Sequence, residues 1–293
     1  IREKFRKAHP TSSIEGASTY LMTVLTDSLI QSKVKDDHLS QLLYGLLRFS
    51  LLKERNLLKE SYKELKRLQQ IADSSQEQLL QQLIYRYELN YLTEINFQDV
   101  SEKDLVAIQM KARDLFKDTR NTHEHYALYE LLKCRLVNSG QILSDNDKRR
   151  INDLLLSELS IVNAKVKNTL ESRKLHLLFQ SYFFTDIGDY KSALKTFREL
   201  NRLFERNVTR WHHPPMDYFS ALEGILDSLR VIGRYKEIDF YIQKLENLDN
   251  VVYPEYFRYI VRKSVMIYRL TLFLDVPDLA GAVRLTEHSD PAL

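Results

Sequence analysis

Leu57, Leu58, Tyr62, Leu65, Leu68 and Ile71 follow one another mostly at intervals of three and four residues. That spacing lines one face of an α-helix, and a β-strand, whose side chains alternate, has no use for it. The same pattern runs through Leu42, Leu43, Leu46, Leu47 and Phe49 to Leu52, through Leu79, Leu80, Leu83, Ile84, Tyr87 and Tyr91, and through Val106, Ile108, Met110, Ala112 and Phe116. Turn-formers are scarce to match, with Gly at 7 and Pro at 6 of 293 residues. Average usage of the two together is about 12%, and β-sandwiches, barrels and nucleotide-binding folds draw on them heavily. The chain reads as all-α.

Breaks in the pattern pair the helices. After a helix over about Ile14 to Gln31, six antiparallel pairs are expected, the third from about Thr122 to Asn138 and from about Asp145 to Val162. The fourth covers about Asn168 to Ile187 and Tyr190 to Glu205, the fifth Tyr218 to Ile232 and Tyr235 to Leu248, and the sixth Tyr253 to Leu274 and Leu279 to Glu287. Ser101, with Asp104 three residues on, is placed to cap the helix carrying Val106, and Ser139-Gly140 suits a helix end. One helical-repeat domain over 1–293 results. Residues 1–35 form an N-terminal helical segment, 36–206 hold pairs one to four, 207–217 make a long connection with Trp211, His212, His213, Pro214 and Pro215, and 218–293 hold pairs five and six.

The inter-helix turns repeat. Asp186, Asp189 and Ala193 of Thr185-Asp-Ile-Gly-Asp-Tyr-Lys-Ser-Ala-Leu194 match Asp275, Asp278 and Ala282 without a gap, 89 residues later. Midway lies Arg230-Val-Ile-Gly-Arg-Tyr235, so the period is near 45. Gly188 suits the end of one helix, Asp189 the cap of the next, and Ala193 is small enough to let the two close.

Carrying Leu177, Ser181 and Phe184 before that turn and Phe197 and Leu200 after it, Lys174 to Arg206 resembles a tetratricopeptide repeat. Leu177 stands where the family has a large aromatic, Gln180 for its Leu, Ser181 for its Gly, and Glu205 near its closing Pro. The resemblance extends to about Glu287, and the first half is similar only as helix pairs. The family's period is about 34, and HEAT-like hairpins come closer to 45, although their Pro and Asp-Arg signature is missing. The resemblance implies a right-handed solenoid whose concave wall, made by the first helix of each pair, holds an extended peptide or a partner helix. Leu178, Tyr182, Asp186, Glu223, Asp227 and Arg230 would line that groove, with Lys133 and Val137 by the same phase.

Chemistry finds little support. The sequence has no Gly-x-Ser-x-Gly, no phosphate-binding loop and no dinucleotide fingerprint, so no catalytic residue, cofactor or metal is expected. Two residues apart, His123 and His125 point to different sides of a helix. Asp36-Asp37 and Asp145-x-Asp147 are explained by helix starts. Lys148-Arg149-Arg150 and Arg173-Lys174 lie among acids, and a net charge of +3 does not call for nucleic acid. Cys134, the single cysteine, reads as a small core residue, and its lack of a disulfide partner suggests a cytoplasmic protein. Ser264 to Val276, broken by Arg269, is too short to span a bilayer. Starting at Ile1 rather than Met, the chain is expected to be a piece of a longer protein. A non-enzymatic interaction scaffold is the leading expectation, and a sensory or oligomerising part of a larger regulator is the alternative. Nothing in the sequence indicates the oligomeric state.

Overall fold

A computed structural model describes residues 13–75, 77–98, 100–139, 145–162, 169–208, 214–276, 281 and 283–284, with the side chains of 35–36, 138–139 and 145–151 outside the description. Among the described residues there are eleven α-helices and no strand. They are α1 (Ile14–Asp36), α2 (His38–Glu54), α3 (Leu58–Ser75), α4 (Gln78–Glu94), α5 (Glu102–Ser139), α6 (Asp145–Val162), α7 (Leu170–Asp186), α8 (Tyr190–Glu205), α9 (Met216–Val231), α10 (Ile238–Glu246) and α11 (Glu255–Asp275). The chain divides into two compact units at Thr119 and Arg120, within α5.

In the first unit Asp37 caps α2, its carboxylate accepting from the Ser40 amide at 2.9 Å. Leu42 and Phe49 of α2, Leu65, Leu68 and Ala72 of α3 and Ile84 of α4 form the core. Beside it the buried Glu88 carboxylate accepts from Lys66 and Gln69. On α1 the hydroxyls of Thr19, Thr23, Thr26 and Ser28 donate to backbone carbonyls four residues back, and Leu21, Met22, Leu25 and Leu29 are exposed.

The second unit has a larger core, in which Leu178 of α7, Ala193, Phe197 and Leu200 of α8, Leu222, Ile225 and Leu229 of α9, Ile242 of α10 and Phe257 of α11 belong to one buried cluster. At Gly188 (φ 79°) its amide bonds to the Thr185 carbonyl and the Asp189 amide to that of Phe184, closing α7. The Asp189 side chain then accepts from the Ser192 amide at 3.1 Å and starts α8. Gly233 (φ 73°) repeats the arrangement 45 residues later, with amide bonds from Gly233 to Arg230 and from Arg234 to Leu229. Two further helices end the same way on asparagine. Asn56 (φ 57°) and Asn96 (φ 52°) bond to the Lys53 and Thr93 carbonyls, and the next residues reach back to Leu52 and Leu92. After Gly, asparagine is the residue that best tolerates this left-handed conformation.

Several expectations change. The break anticipated between Phe116 and Thr122 is absent, because α5 runs unbroken over 38 residues. Lys117 to Asn121 contain no Gly or Pro, and the segment is laced by Lys117 to Asp114 at 3.5 Å, Arg120 to Glu124 at 2.9 Å, and the Thr119 hydroxyl on the Leu115 carbonyl. Cys134 is exposed rather than core. Leu132 of α5 is buried, with Leu128 and Leu136 partly buried on the same stripe, and a residue two positions from Leu132 lies about 200° around the helix. The helix expected from Tyr235 begins as a 3₁₀ turn over Tyr235–Glu237 and ends at Glu246. Ser101 caps α5, accepting from the Asp104 amide at 3.2 Å. Trp211, His212, His213, Gly140, Asp278 and Ala282, and most of the helix expected over Leu279 to Glu287, lie outside the described residues, as do the side chains of Asp145, Asp147 and Lys148-Arg149-Arg150.

Candidate functional site

Four helices of the second unit exchange side-chain contacts across one polar face. Its residues recur at helical spacing: Tyr126, Tyr129 and Lys133 on α5, Lys174, Tyr182 and Asp186 on α7, Ser220, Glu223, Asp227 and Arg230 on α9, and Ser264, Tyr268 and Asp275 on α11. Hydrogen bonds tie α5 to α7 and α9 to α11, and the Lys174–Asp217 ion pair joins α7 to α9. Thr122 meets Thr169 at 3.3 Å, Tyr126 donates to Glu171 at 2.5 Å, Ser264 to Glu223 at 2.7 Å, and Tyr268 to Asp227 at 2.9 Å. Arg230 grips Asp275 with Nε at 2.5 Å and Nη2 at 3.3 Å. The partners stand 41 to 47 residues apart in the chain.

At the centre the Lys133 ammonium lies 3.3 Å from the Tyr182 ring centroid and 5.8 Å from that of Tyr129. The face of an aromatic ring attracts a cation. Burial holds the ammonium below the ordinary lysine range, against the pull of Asp186 and Asp217. Asp186 is half-buried, and its Oδ2 has no hydrogen-bond partner among the described residues. Burial pushes its carboxyl up to about 6, with Lys133 opposing. Burial also raises Tyr182 and Tyr129, and it raises Glu223, where the Ser264 hydrogen bond opposes and the neighbouring Asp227 reinforces. Lys174 behaves oppositely. Burial works against its charge, yet Glu171 at 2.8 Å and Asp217 at 3.0 Å hold it above the usual lysine range.

Of the eight residues expected to line a groove, six meet on this face: Lys133, Tyr182, Asp186, Glu223, Asp227 and Arg230. Val137, one turn beyond Lys133, is 81% exposed. Leu178 is only 2% exposed and belongs to the core with Phe197 and Leu222, so it is not presented to a ligand. Tyr129, Lys174, Asp217 and Tyr268 were not anticipated. The expected period near 45 held a signal for one of them, since Tyr268 follows Glu223 by 45 residues.

The two histidines separate as their spacing requires, His125 buried and His123 exposed. His125 packs edge-on to His176 at 6.1 Å, and His176 Nδ1 lies 2.5 Å from the buried Glu158. Burial, reinforced by His176, lowers the His125 pKa. Among the described residues no group of three or more His, Cys, Asp or Glu side chains is arranged to hold a metal ion, and no helix is long and apolar enough to cross a membrane. No protein-family model matches the chain, and neither does a curated protein or a solved structure.

Proposed function

We propose that this chain is a non-enzymatic protein-interaction scaffold of stacked helix pairs, tetratricopeptide-like, with a repeat near 45 residues. The polar face of α5, α7, α9 and α11 is its docking wall. The observation that carries the reading is the cradle around Lys133. An alkylammonium already sits over Tyr182 with the Asp186 carboxylate beside it, and Asp186, Glu223 and Asp227 together hold more negative charge than Lys133 supplies. Glu223 feels the charge of Asp227, four residues on along α9, while Arg230 draws on Asp227 but is itself held by Asp275. The wall therefore favours an extended segment with Lys or Arg side chains, whose cations meet these carboxylates while its apolar stems lie on the tyrosine rings.

The test is an array of capped 12-residue peptides probed with the full chain and with an Asp186→Asn, Glu223→Gln variant shown by circular dichroism to be folded. Basic peptides should bind the parent and lose about tenfold or more in affinity to the variant, a change worth about 1.4 kcal/mol. Retention of no peptide, or equal retention by both proteins, would remove the wall from the proposal.

The alternative, an oligomerising part of a larger regulator, draws on α1, where Leu21, Met22, Leu25 and Leu29 face solvent.

A further inference from the structure

On a different pair of helices, α8 and α10 border a cleft of about 390 Å³. Asn201, which lines it, is 4% exposed, and its Oδ1 accepts no hydrogen bond among the described residues. Arg198 lines it too, and its buried Nε has no acceptor among the described residues, although its Nη2 donates to Glu237. A buried donor and a buried acceptor left open beside one cleft are rare in native proteins and ask for a ligand that answers both.

The charge around the cleft narrows the choice. Arg198 is neutralised by Glu237, and Lys244 by Glu205 at 2.5 Å. Arg202 and Lys236, both exposed at the rim, form no ion pair among the described residues, so the cleft carries two excess positive charges. The ligand must bring an acceptor for Arg198, a donor for Asn201, and negative charge for Arg202 and Lys236. A peptide bond supplies acceptor and donor side by side, and Asp or Glu side chains supply the charge. A phosphate dianion supplies acceptors alone.

We propose that this cleft binds an acidic peptide segment, its backbone meeting Arg198 Nε and Asn201 Oδ1 and its carboxylates meeting Arg202 and Lys236. The site is independent of the tyrosine wall, whose charge preference is the reverse.

The probe is a capped, fluorescein-labelled peptide of alternating Glu and Ala, titrated by anisotropy with the full chain at about 50 mM salt, where exposed charges are weakly screened. Two arms separate the cause. An Arg202→Glu, Lys236→Glu variant, altered only at exposed positions and checked by circular dichroism, should bind about tenfold or more weakly. The same peptide with a methylated backbone, equal in charge but without N–H donors, should lose a comparable factor from the parent. Asp186→Asn should leave this binding unchanged, so the cleft and the wall can fail separately. Absence of binding, equal binding by the charge-reversed variant, or equal binding of the methylated peptide would each overturn the proposal, the last by reducing it to diffuse attraction for any polyanion.

Discussion

Asp186 is a carboxyl that costs the fold stability. Because burial pushes it up to about 6, the folded chain holds its proton more tightly than the unfolded chain does. This group therefore subtracts stability above about pH 6, and the loss fades as the pH falls into the ordinary aspartate range. Asp186→Asn should gain about 1 kcal/mol in urea unfolding at pH 7, after allowance for the carboxyl's partial exposure, and the gain should shrink towards zero near pH 4. An equal gain at both values would mean that lost packing or altered helix propensity, not titration, is being measured. Two glycines make a second residue-scale contrast. A Cβ on Gly224, in the middle of α9, would lie 2.3 Å from Phe197 Cζ, whereas one on Gly188 would meet nothing within 4 Å and only strain the backbone. Alanine improves helix propensity by about 1 kcal/mol, yet Gly224→Ala should destabilise by about 1–3 kcal/mol through overpacking. Gly188→Ala should cost about 1 kcal/mol from its left-handed backbone. Urea midpoints of the two variants give the order.

At the scale of the element, α5 departs furthest from the sequence reading. Its polar stretch Lys117 to Asn121 looks like a break because the apolar stripe lapses there, but a helix needs a positive stop and none is present. Lys117→Pro should therefore cost about 3 kcal/mol or more and lower the far-ultraviolet helical signal. A mild effect on both would place a joint at that position after all. At Asn56 and Asn96 the spacing already breaks, and each ends its helix with the same paired hydrogen bonds as Gly188 and Gly233; what the sequence does not announce there is the left-handed residue itself, because asparagine marks such an end less strongly than glycine does. Helix positions were legible from spacing, and the ends only where Gly, Pro or Ser marked them.

Across the whole molecule, the all-helical class followed from periodicity and from the shortage of turn-formers, and Ala193 and Phe197 entered the core where the turn motif placed them. The polar face was legible as a phase. The tetratricopeptide resemblance, with the same phase carried back to α5, named six of its residues, but it also named Leu178, because a phase gives a direction around a helix and not a depth. Asn201 and Arg198 had no signal at all. Their unmet polar atoms exist only once α8 and α10 are side by side, and no spacing in the chain records them.

Cys134 was expected to be hidden and is exposed, one residue from the Lys133 cradle and the only cysteine in 293 residues. The molecule thereby offers a single chemically addressable point beside its tyrosine wall. An environment-sensitive dye coupled through that sulfur would turn occupancy of the proposed docking wall into a change of colour or brightness, with no residue added and none of the wall's own side chains replaced.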